Sequence, residues 1–154
     1  MSHDVHAALR RVAEDSRRVE RELVLLFAEV MVNQLYRDLG FTSMEAYSID
    51  ALGFSPGKTK QLIRLAARLE ELPRLRHALA TGEVTWTGAR ETTRVATPET
   101  EAHWVEEART SSRRELVKKI DRAKAAAKRE RKRRRTKQAE LVPEPGGEAD
   151  GRGD

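Results

Sequence analysis

The sequence contains no cysteine, and no apolar run in it approaches the roughly 18 residues that a membrane-spanning helix needs. Without cysteine the chain can form neither a disulfide scaffold nor a thiolate zinc site, and a reducing compartment suits it. The first 20 residues are charged and do not resemble a signal peptide. We therefore expect a cytoplasmic protein that does not contact a membrane.

Aromatic residues are also scarce, at 5% of the 154 residues, and β-branched runs are few, which argues against a sheet. Ala, Leu, Glu and Arg, which favour helices, are abundant. The sequence therefore predicts an all-α fold. The expected segments are a long N-terminal helix at 1–40, a helical bundle containing a helix-turn-helix at 41–112, a basic C-terminal helix at 113–139 and a disordered tail at 140–154.

Two helices are predicted to meet at a tight turn near the middle of the chain. Ser43 is a suitable N-cap for the first helix, and Gly53 can take the left-handed conformation that ends it. Ser55 followed by Pro56 is typical of the N-cap and first position of a second helix, which should end before Pro73. This pattern predicts a helix-turn-helix, with an ordinary helical hairpin as the alternative.

The second of these helices has one apolar face and one polar face. Leu62, Leu65, Leu69 and Leu72 recur at spacings of three and four, so they should face the core. The polar face and the first turn offer donors suited to phosphates and base edges. The predicted DNA-facing residues here are Ser55, Lys58, Thr59, Lys60, Gln61, Arg64 and Arg68.

Positive charge is concentrated in one segment. Residues 113–137 contain 14 Lys and Arg against three Asp and Glu, a net charge of +11, whereas residues 1–112 have a net charge of −2. Such a segment favours a polyanion but reads no sequence. The predicted phosphate-binding residues are Lys118, Lys119, Arg122, Lys124, Lys128, Arg129, Arg131, Lys132, Arg133, Arg134 and Arg135.

The N-terminal segment carries a heptad pattern without Pro or Gly, and Gly40 is expected to end its helix. We call this pattern the seam; its members are Val5, Leu9, Val12, Ser16, Val19, Leu23, Leu26, Val30 and Asn33. Either the helix packs on its own domain, or two copies of the chain dimerise through the seam, where Asn33 would suit control of register.

Further helices are predicted between Pro73 and the basic segment. Pro73 opens one that Gly82 stops, and Thr85 caps another that runs to about Val95. Thr97-Pro98 repeats the cap-plus-proline start of a helix to about Arg109. Its expected inward-facing residues are Ala102, Val105 and Ala108. Ser112 and Glu115 form a capping box before the last helix.

The sequence offers no catalytic constellation. The four histidines are His3, His6, His77 and His103. None pairs with a carboxylate at metal-ligand spacing. Gly53 and Gly57 have three residues between them and follow a helix, whereas a nucleotide-binding phosphate loop needs four between its glycines and follows a strand. We expect no enzymatic activity, no metal, no cofactor and no small-molecule substrate.

One set of motifs spans the middle of the chain: Glu70-Glu71-Leu72-Pro73, Leu75, Ala78-Leu79, Gly82-Glu83-Val84-Thr85-Trp86-Thr87, Arg90-Glu91, and Thr93-Arg94-Val95-Ala96-Thr97-Pro98-Glu99-Thr100-Glu101-Ala102. Together they resemble the helical N-terminal domain, of unassigned function, that precedes the nuclease domain in many bacterial HNH endonucleases. The resemblance covers about residues 35–120. That family takes its chemistry from a C-terminal module with a His pair, an Asn and often cysteines. The only Asn here is Asn33 and no His follows His103, so the resemblance implies a relative without the nuclease domain.

A looser set is Gly53, Ser55, Arg64-Leu65, Leu72-Pro73, Gly82, Ala89-Arg90 and Ser112-Arg113-Arg114-Glu115-Leu116. It is similar to the DNA-binding helix-turn-helix of ParB/KorB partition proteins. Arg64-Leu65 stands about one helical turn farther from Leu72-Pro73 than in that family, which implies a longer recognition helix. We expect a non-enzymatic module that binds duplex DNA. The alternatives are a dimerising or partner-binding scaffold and a truncated remnant of an HNH endonuclease.

Overall fold

The computed structural model describes residues 1–142 and contains helices and no strand over that range, which confirms the all-α prediction. The helices are α1 (Ser2–Val32), α2 (Leu35–Asp38), α3 (Met44–Ala46), α4 (Pro56–Glu71), α5 (Pro73–Thr81), α6 (Trp86–Thr92), α7 (Glu101–Thr110) and α8 (Arg113–Leu141). The chain divides into two compact units, residues 1–120 and 121–154. Of the predicted disordered tail, positions 140 and 141 are helical and those from 143 lie outside the described residues.

The first helix ends well before Gly40, so the predicted end of this helix is wrong. The backbone N and the side-chain Nδ2 of Asn33 both donate to the carbonyl oxygen of Glu29, each at 3.1 Å. Gln34 then adopts a left-handed conformation with φ +53°. The Asn side chain stabilises this helix end locally, as Asn commonly does. Gly40, at φ +87°, instead ends the short α2 that follows.

The caps predicted around the central turn are confirmed. Ser43 Oγ accepts a hydrogen bond from the backbone N of Ala46 at 3.0 Å, and α3 continues into a π-helical turn, Tyr47–Ala51. Gly53 has φ +69°. Ser55 Oγ accepts from the backbone N of Lys58 at 3.2 Å, with proline in the first turn of α4. The π-helical turn was not predicted, because no sequence signal used above distinguishes it from an α-helical end.

The core of the first unit is built around α4. The apolar face predicted for this helix is buried, with Leu62, Leu65, Leu69 and Leu72 at most 1% exposed. Each such leucine stabilises the fold by about 1.5–3 kcal/mol through burial. Helices α1, α3 and α5 all contact α4. Other large buried residues are Val24, Phe27, Leu75, Leu79, Val84, Trp104, Leu116 and Ile120.

The predicted caps of α5 and α6 are confirmed, but α6 is shorter than expected. Gly82 ends α5 with φ +81°, and Thr85 Oγ1 accepts from the backbone N of Gly88 at 3.1 Å. Helix α6 ends at Thr92 and not at about Val95. The three residues after Thr92 form a turn, and the carbonyl oxygens of Thr93 in this turn and of Ala96 just after it accept hydrogen bonds from Arg68 of α4.

The start and the buried face predicted for α7 are wrong. Thr97-Pro98 opens a turn in which the backbone N of Thr97 donates to Thr100 Oγ1 at 2.9 Å, and α7 begins only at Glu101. Its buried residues are Glu101 and Trp104. Of the three residues predicted to face inward, Ala102 is exposed and Val105 and Ala108 are half-buried.

The buried face of α7 is set by an interaction between α7 and α5. Glu101 Oε2 accepts hydrogen bonds from the backbone N of Arg74 at 3.1 Å and of Leu75 at 3.3 Å. These N–H groups belong to the first turn of α5, where a helix has unsatisfied donors. A buried carboxylate is stable there because it meets both the donors and the positive end of the helix dipole.

The capping box of α8 is confirmed. The backbone N of Ser112 donates to Glu115 Oε2 at 3.0 Å, and the backbone N of Glu115 donates to Ser112 Oγ at 3.3 Å. The hydrogen bond that the Glu115 carboxylate accepts from the backbone N of Ser112, and after it the interaction with the Ser112 side chain, hold the pKa of Glu115 below its ordinary value. Leu116 and Ile120 anchor the start of this helix in the first unit. The helix runs two residues beyond the predicted 139, to Leu141.

Candidate nucleic-acid interface

The solvent-exposed face of α4 carries basic and amide side chains. Lys58, Lys60, Gln61 and Arg64 are all exposed, while the leucines of the same helix face the core. Among the described residues, none of the three basic side chains has a carboxylate within 4 Å. Lys58 Nζ lies 4.3 Å from the ring centroid of Phe54, a cation–π contact. The face therefore presents several donors that remain available to an anionic partner.

Thr59 does not belong to this face, so its prediction as a DNA-facing residue is wrong. The residue is 1% exposed, and its Oγ1 lies 2.8 Å from Oγ of Ser48 in the helical segment before the turn. In the helical repeat, position 59 falls beside the buried Leu62. Its hydroxyl joins the two helices and is not available for a ligand.

The guanidinium of Arg68 makes its contacts mainly within the protein. Its Nε donates to the carbonyl oxygen of Thr93 at 3.3 Å, and its guanidinium also contacts the carbonyl oxygen of Ala96 and the carboxylate of Glu71. The side chain is 30% exposed. It fastens α4 to the turn after α6, so we place it at the edge of the interface and not among its free donors.

Helix α6 lies beside the exposed face of α4. Arg90 Nη1 donates to Gln61 Oε1 at 3.3 Å, and both residues line each of two clefts. One cleft, of about 380 Å³, is lined by Gln61, Arg64, Leu65, Arg68, Arg90, Glu91, Thr93 and Arg94. The other, of about 510 Å³, is lined by Glu20, Leu23, Ser55, Gly57, Lys58, Gln61, Trp86 and Arg90.

Sequence reasoning missed the contribution of α6 to this surface. Trp86 and Arg90 are four residues apart and therefore lie on one side of that helix. The spacing was visible in the sequence, but the packing of α6 beside α4 was not. Trp86 and Arg90 extend the exposed face of α4 by a second helix, and Arg90 brings a cation whose Nη2 also lies 3.7 Å from Oε1 of Glu91.

The basic residues of α8 fall in both units. In the first unit, Lys118 is exposed and Lys119 forms an ion pair with Glu107. The hydrogen bond from Lys119 holds the pKa of Glu107 below its ordinary value. Lys119 is thus partly neutralised, unlike most of the predicted basic residues.

The second unit, as far as residue 142, is a single helical segment with almost every side chain exposed. The predicted residues Arg122, Lys124, Lys128, Arg129, Arg131, Lys132, Arg133, Arg134 and Arg135 are all exposed. We define the basic stripe as Lys124, Lys128, Arg131 and Arg135, which follow the helical repeat along one side over about 16 Å.

Glu130 forms ion pairs with two arginines outside the basic stripe, Arg133 and Arg134. Its Oε2 accepts from Arg133 Nε at 3.1 Å, and its Oε1 accepts from Arg134 Nε at 2.9 Å. These hydrogen bonds hold the pKa of Glu130 below its ordinary value, so the carboxylate stays ionised at neutral pH. Within the described residues, the stripe itself has no carboxylate partner.

Comparisons with known proteins leave this surface without a precedent. No protein-family model matches the chain, and no curated protein or solved structure matches it. The resemblances to HNH endonuclease N-terminal domains and to ParB/KorB therefore stay predictions. Over residues 1–142 no group of His, Cys, Asp and Glu could hold a metal ion, and no helix has the length and apolar character needed to cross a membrane.

Proposed function

We propose that the chain is a non-enzymatic module that binds duplex DNA through α4, with α8 adding phosphate contacts. The observation that carries this proposal is the exposed face of α4. Lys60, Gln61 and Arg64 stand there without carboxylate partners, on a helix whose opposite face is fully buried. A helix supported in this way can enter the major groove, which is about 12 Å wide.

In this proposal the segment 44–71 acts as a helix-turn-helix with α4 as its recognition helix. The first turn of α4 approaches the DNA backbone, where helix N-termini favour phosphate. Gln61 and Arg64 then face base edges, since amide and guanidinium groups pair with adenine and guanine there. Arg90 lies beside Gln61 and reaches the neighbouring phosphates.

The basic stripe of α8 contributes affinity without discrimination. Its four cations have no carboxylate partner among the described residues, and a cation that meets a phosphate releases counterions. The motifs of this module also resemble those of the N-terminal domain of HNH endonucleases, and we propose that the two are related.

The proposal is tested by fluorescence anisotropy of the full chain on random duplexes across a salt series. If four to six phosphates are neutralised, log affinity falls against log salt with a slope of about −4 to −5. A flat salt response would refute DNA binding by this surface.

Matched charge removals separate α4 from the rest of the first unit. The double variant Lys60→Gln/Arg64→Gln is expected to weaken binding and, since only Lys60 of the two is placed at a phosphate, to reduce the magnitude of the slope by about 1. The control Arg37→Gln/Arg74→Gln removes the same charge from exposed positions on α2 and α5. Equal losses from the two doubles would mean that net charge, and not the face of α4, drives binding.

The basic stripe requires its own comparison. Lys128→Gln/Arg131→Gln is expected to weaken binding to every duplex by a similar factor, because phosphate contacts carry no sequence information. Arg64→Gln is expected to change the ranking among varied duplexes. If binding depends only on α8 and no α4 variant has an effect, the first unit is a scaffold and the assignment of α4 is wrong.

A second candidate function is favoured by the exposed seam of α1. No residue among the first 20 is buried, although Val5, Leu9, Val12 and Val19 are apolar and regularly spaced. Such a surface suits docking of another helix. Sedimentation of the full chain and of Leu9→Ser/Val12→Ser tests whether the seam joins two copies.

A further inference from the structure

Helix α1 carries an exposed apolar stripe that extends beyond its N-terminal half. Val5, Leu9, Val12, Val19 and Leu26 are between 58% and 68% exposed. Val5, Leu9 and Val12 are spaced four and three residues apart, and Val19 and Leu26 each follow after seven more. This is the repeat of a coiled coil. A stripe with this period fits another helix better than a flat surface, since knobs and holes then interlock along its length.

The residues that flank the seam are acidic. With Leu9 and Ser16 at a and Val5, Val12 and Val19 at d, the e and g positions up to residue 29 are His6, Ala8, Ala13, Asp15, Glu20, Glu22, Glu29 and Phe27, of which Phe27 is buried in the first unit. Four of these eight are carboxylates, and none is Lys or Arg. We call these four residues the acidic rim.

The arginines of α1 lie behind the acidic rim. Arg10 and Arg17 fall at b, Arg11 and Arg18 fall at c, and Arg21 falls at f, all outside the e and g positions that meet a partner helix. Arg18 Nη2 lies 3.0 Å from Oδ1 of Asp15. The helix as a whole is therefore nearly neutral, and the charge that a docked helix meets differs from the net charge of α1.

A second copy of the chain suits this seam poorly. In a parallel pair, g meets the e position five residues later, so Asp15 faces Glu20 of a second copy. In an antiparallel pair g meets g, and Asp15, Glu22 and Glu29 then face one another. Like charges at these positions oppose association and are a common means of selecting partners.

We propose that the seam docks an amphipathic helix of a different protein whose own apolar stripe is flanked by Lys and Arg. This inference deepens the second candidate function above and does not depend on DNA binding. The acidic rim supplies specificity, and Val5, Leu9, Val12, Val19 and Leu26 supply the buried area.

The test uses the full chain and two synthetic 28-residue heptad peptides with identical Leu and Val at a and d. One peptide has Lys at every e and g position, and the other has Glu there. We expect the Lys peptide to bind at least tenfold more tightly by fluorescence anisotropy. Leu9→Ser/Val12→Ser should abolish that binding without unfolding the chain, since both residues are exposed.

A charge reversal provides the sharper comparison. Glu22→Lys at g is expected to lower the preference for the Lys peptide by at least threefold. Glu14→Lys makes the same change in net charge at f, on the far side of the seam, and should leave the preference unchanged. Equal effects of the two variants would overturn the proposal, because binding would then depend on net charge alone.

The remaining outcomes are also decisive. Equal binding of both peptides would remove the role of the acidic rim, and binding of neither would show that the seam does not dock helices of this kind. A stable dimer of the full chain by sedimentation at micromolar concentration, lost in Leu9→Ser/Val12→Ser, would identify a second copy as the occupant and overturn the proposal. None of these readouts involves DNA, so each proposal can fail without the other.

Discussion

Ser48 Oγ and Thr59 Oγ1 lie 2.8 Å apart in the core of the first unit, where both residues are at most 1% exposed. Ser48 belongs to the π-helical turn before Gly53, and Thr59 belongs to the first turn of α4. The bond therefore joins the two helices on either side of the turn. It holds the start of α4 against the π-helical turn, although neither hydroxyl is exposed to solvent.

Breaking this bond on one side should destabilise the fold. Thr59→Val keeps the shape of the side chain but leaves the Ser48 hydroxyl buried without its partner, which costs about 1–3 kcal/mol. Urea unfolding followed by circular dichroism measures the loss. The double variant Ser48→Ala/Thr59→Val should recover part of it, because no buried hydroxyl then lacks a partner. A double variant no more stable than Thr59→Val would contradict this explanation.

The buried carboxylate of Glu101 should be a strong determinant of stability. Glu101→Ala removes the acceptor for the backbone N–H groups of Arg74 and Leu75, and hydrogen bonds to a charged group contribute about 1.5–3 kcal/mol. Thermal and urea unfolding should both show the loss. Glu83→Ala, at an exposed position, is the matched control and should change stability little. Comparable losses from the two variants would disprove the capping role.

Removing Glu130 should strengthen DNA binding. Glu130→Gln releases Arg133 and Arg134 from their carboxylate, so two further cations become available to phosphates. We expect higher affinity and a salt slope steeper by about 1–2. Glu140→Gln changes the net charge equally on the same helix, at an exposed position, and should have a smaller effect. The same gain from both variants would show that only net charge matters.

The start of α8 should lose stability in acid. The pKa of Glu115 is lowered in the folded state by its hydrogen bonds with Ser112, so its contribution is present above the unfolded-state pKa. The contribution is lost as the pH falls through the lower, folded-state pKa. Comparing unfolding of the natural chain and Glu115→Gln from pH 7 to pH 3 should show their stabilities converging. A difference that stays constant over this range would argue against the capping box.

Most helix ends of the first unit follow from local sequence, and the exceptions have separate causes. Ser43, Ser55 and Thr85 form the predicted caps because each hydroxyl reaches a backbone N–H three residues later, a relation that tertiary contacts do not alter. The prediction failed at Gly40 and at Thr97-Pro98. At Thr97-Pro98 the local start signal begins a turn. Helix α7 starts only at Glu101, whose carboxylate accepts hydrogen bonds from the first turn of α5.

The candidate site was only partly accessible from the sequence. Lys58, Lys60, Gln61 and Arg64 were found because the leucines of α4 define its buried side by helical spacing. Thr59 was misplaced, since a threonine beside a leucine stripe can point either way until its partner is known. Arg90 and Trp86 were missed because their role comes from α6 packing beside α4.

The sequence by itself determined the all-helical class, the caps, the leucine core of α4 and the concentration of positive charge in α8, because these depend on periodicity and on groups a few residues apart. Only the tertiary structure decided which polar side chains form hydrogen bonds within the protein. Arg68 donates to the turn after α6, the hydroxyl of Thr59 bonds to that of Ser48, and Glu101 accepts from the backbone of α5. Those partners are 11 to 27 residues away in the chain, so their pairing depends on how the helices pack.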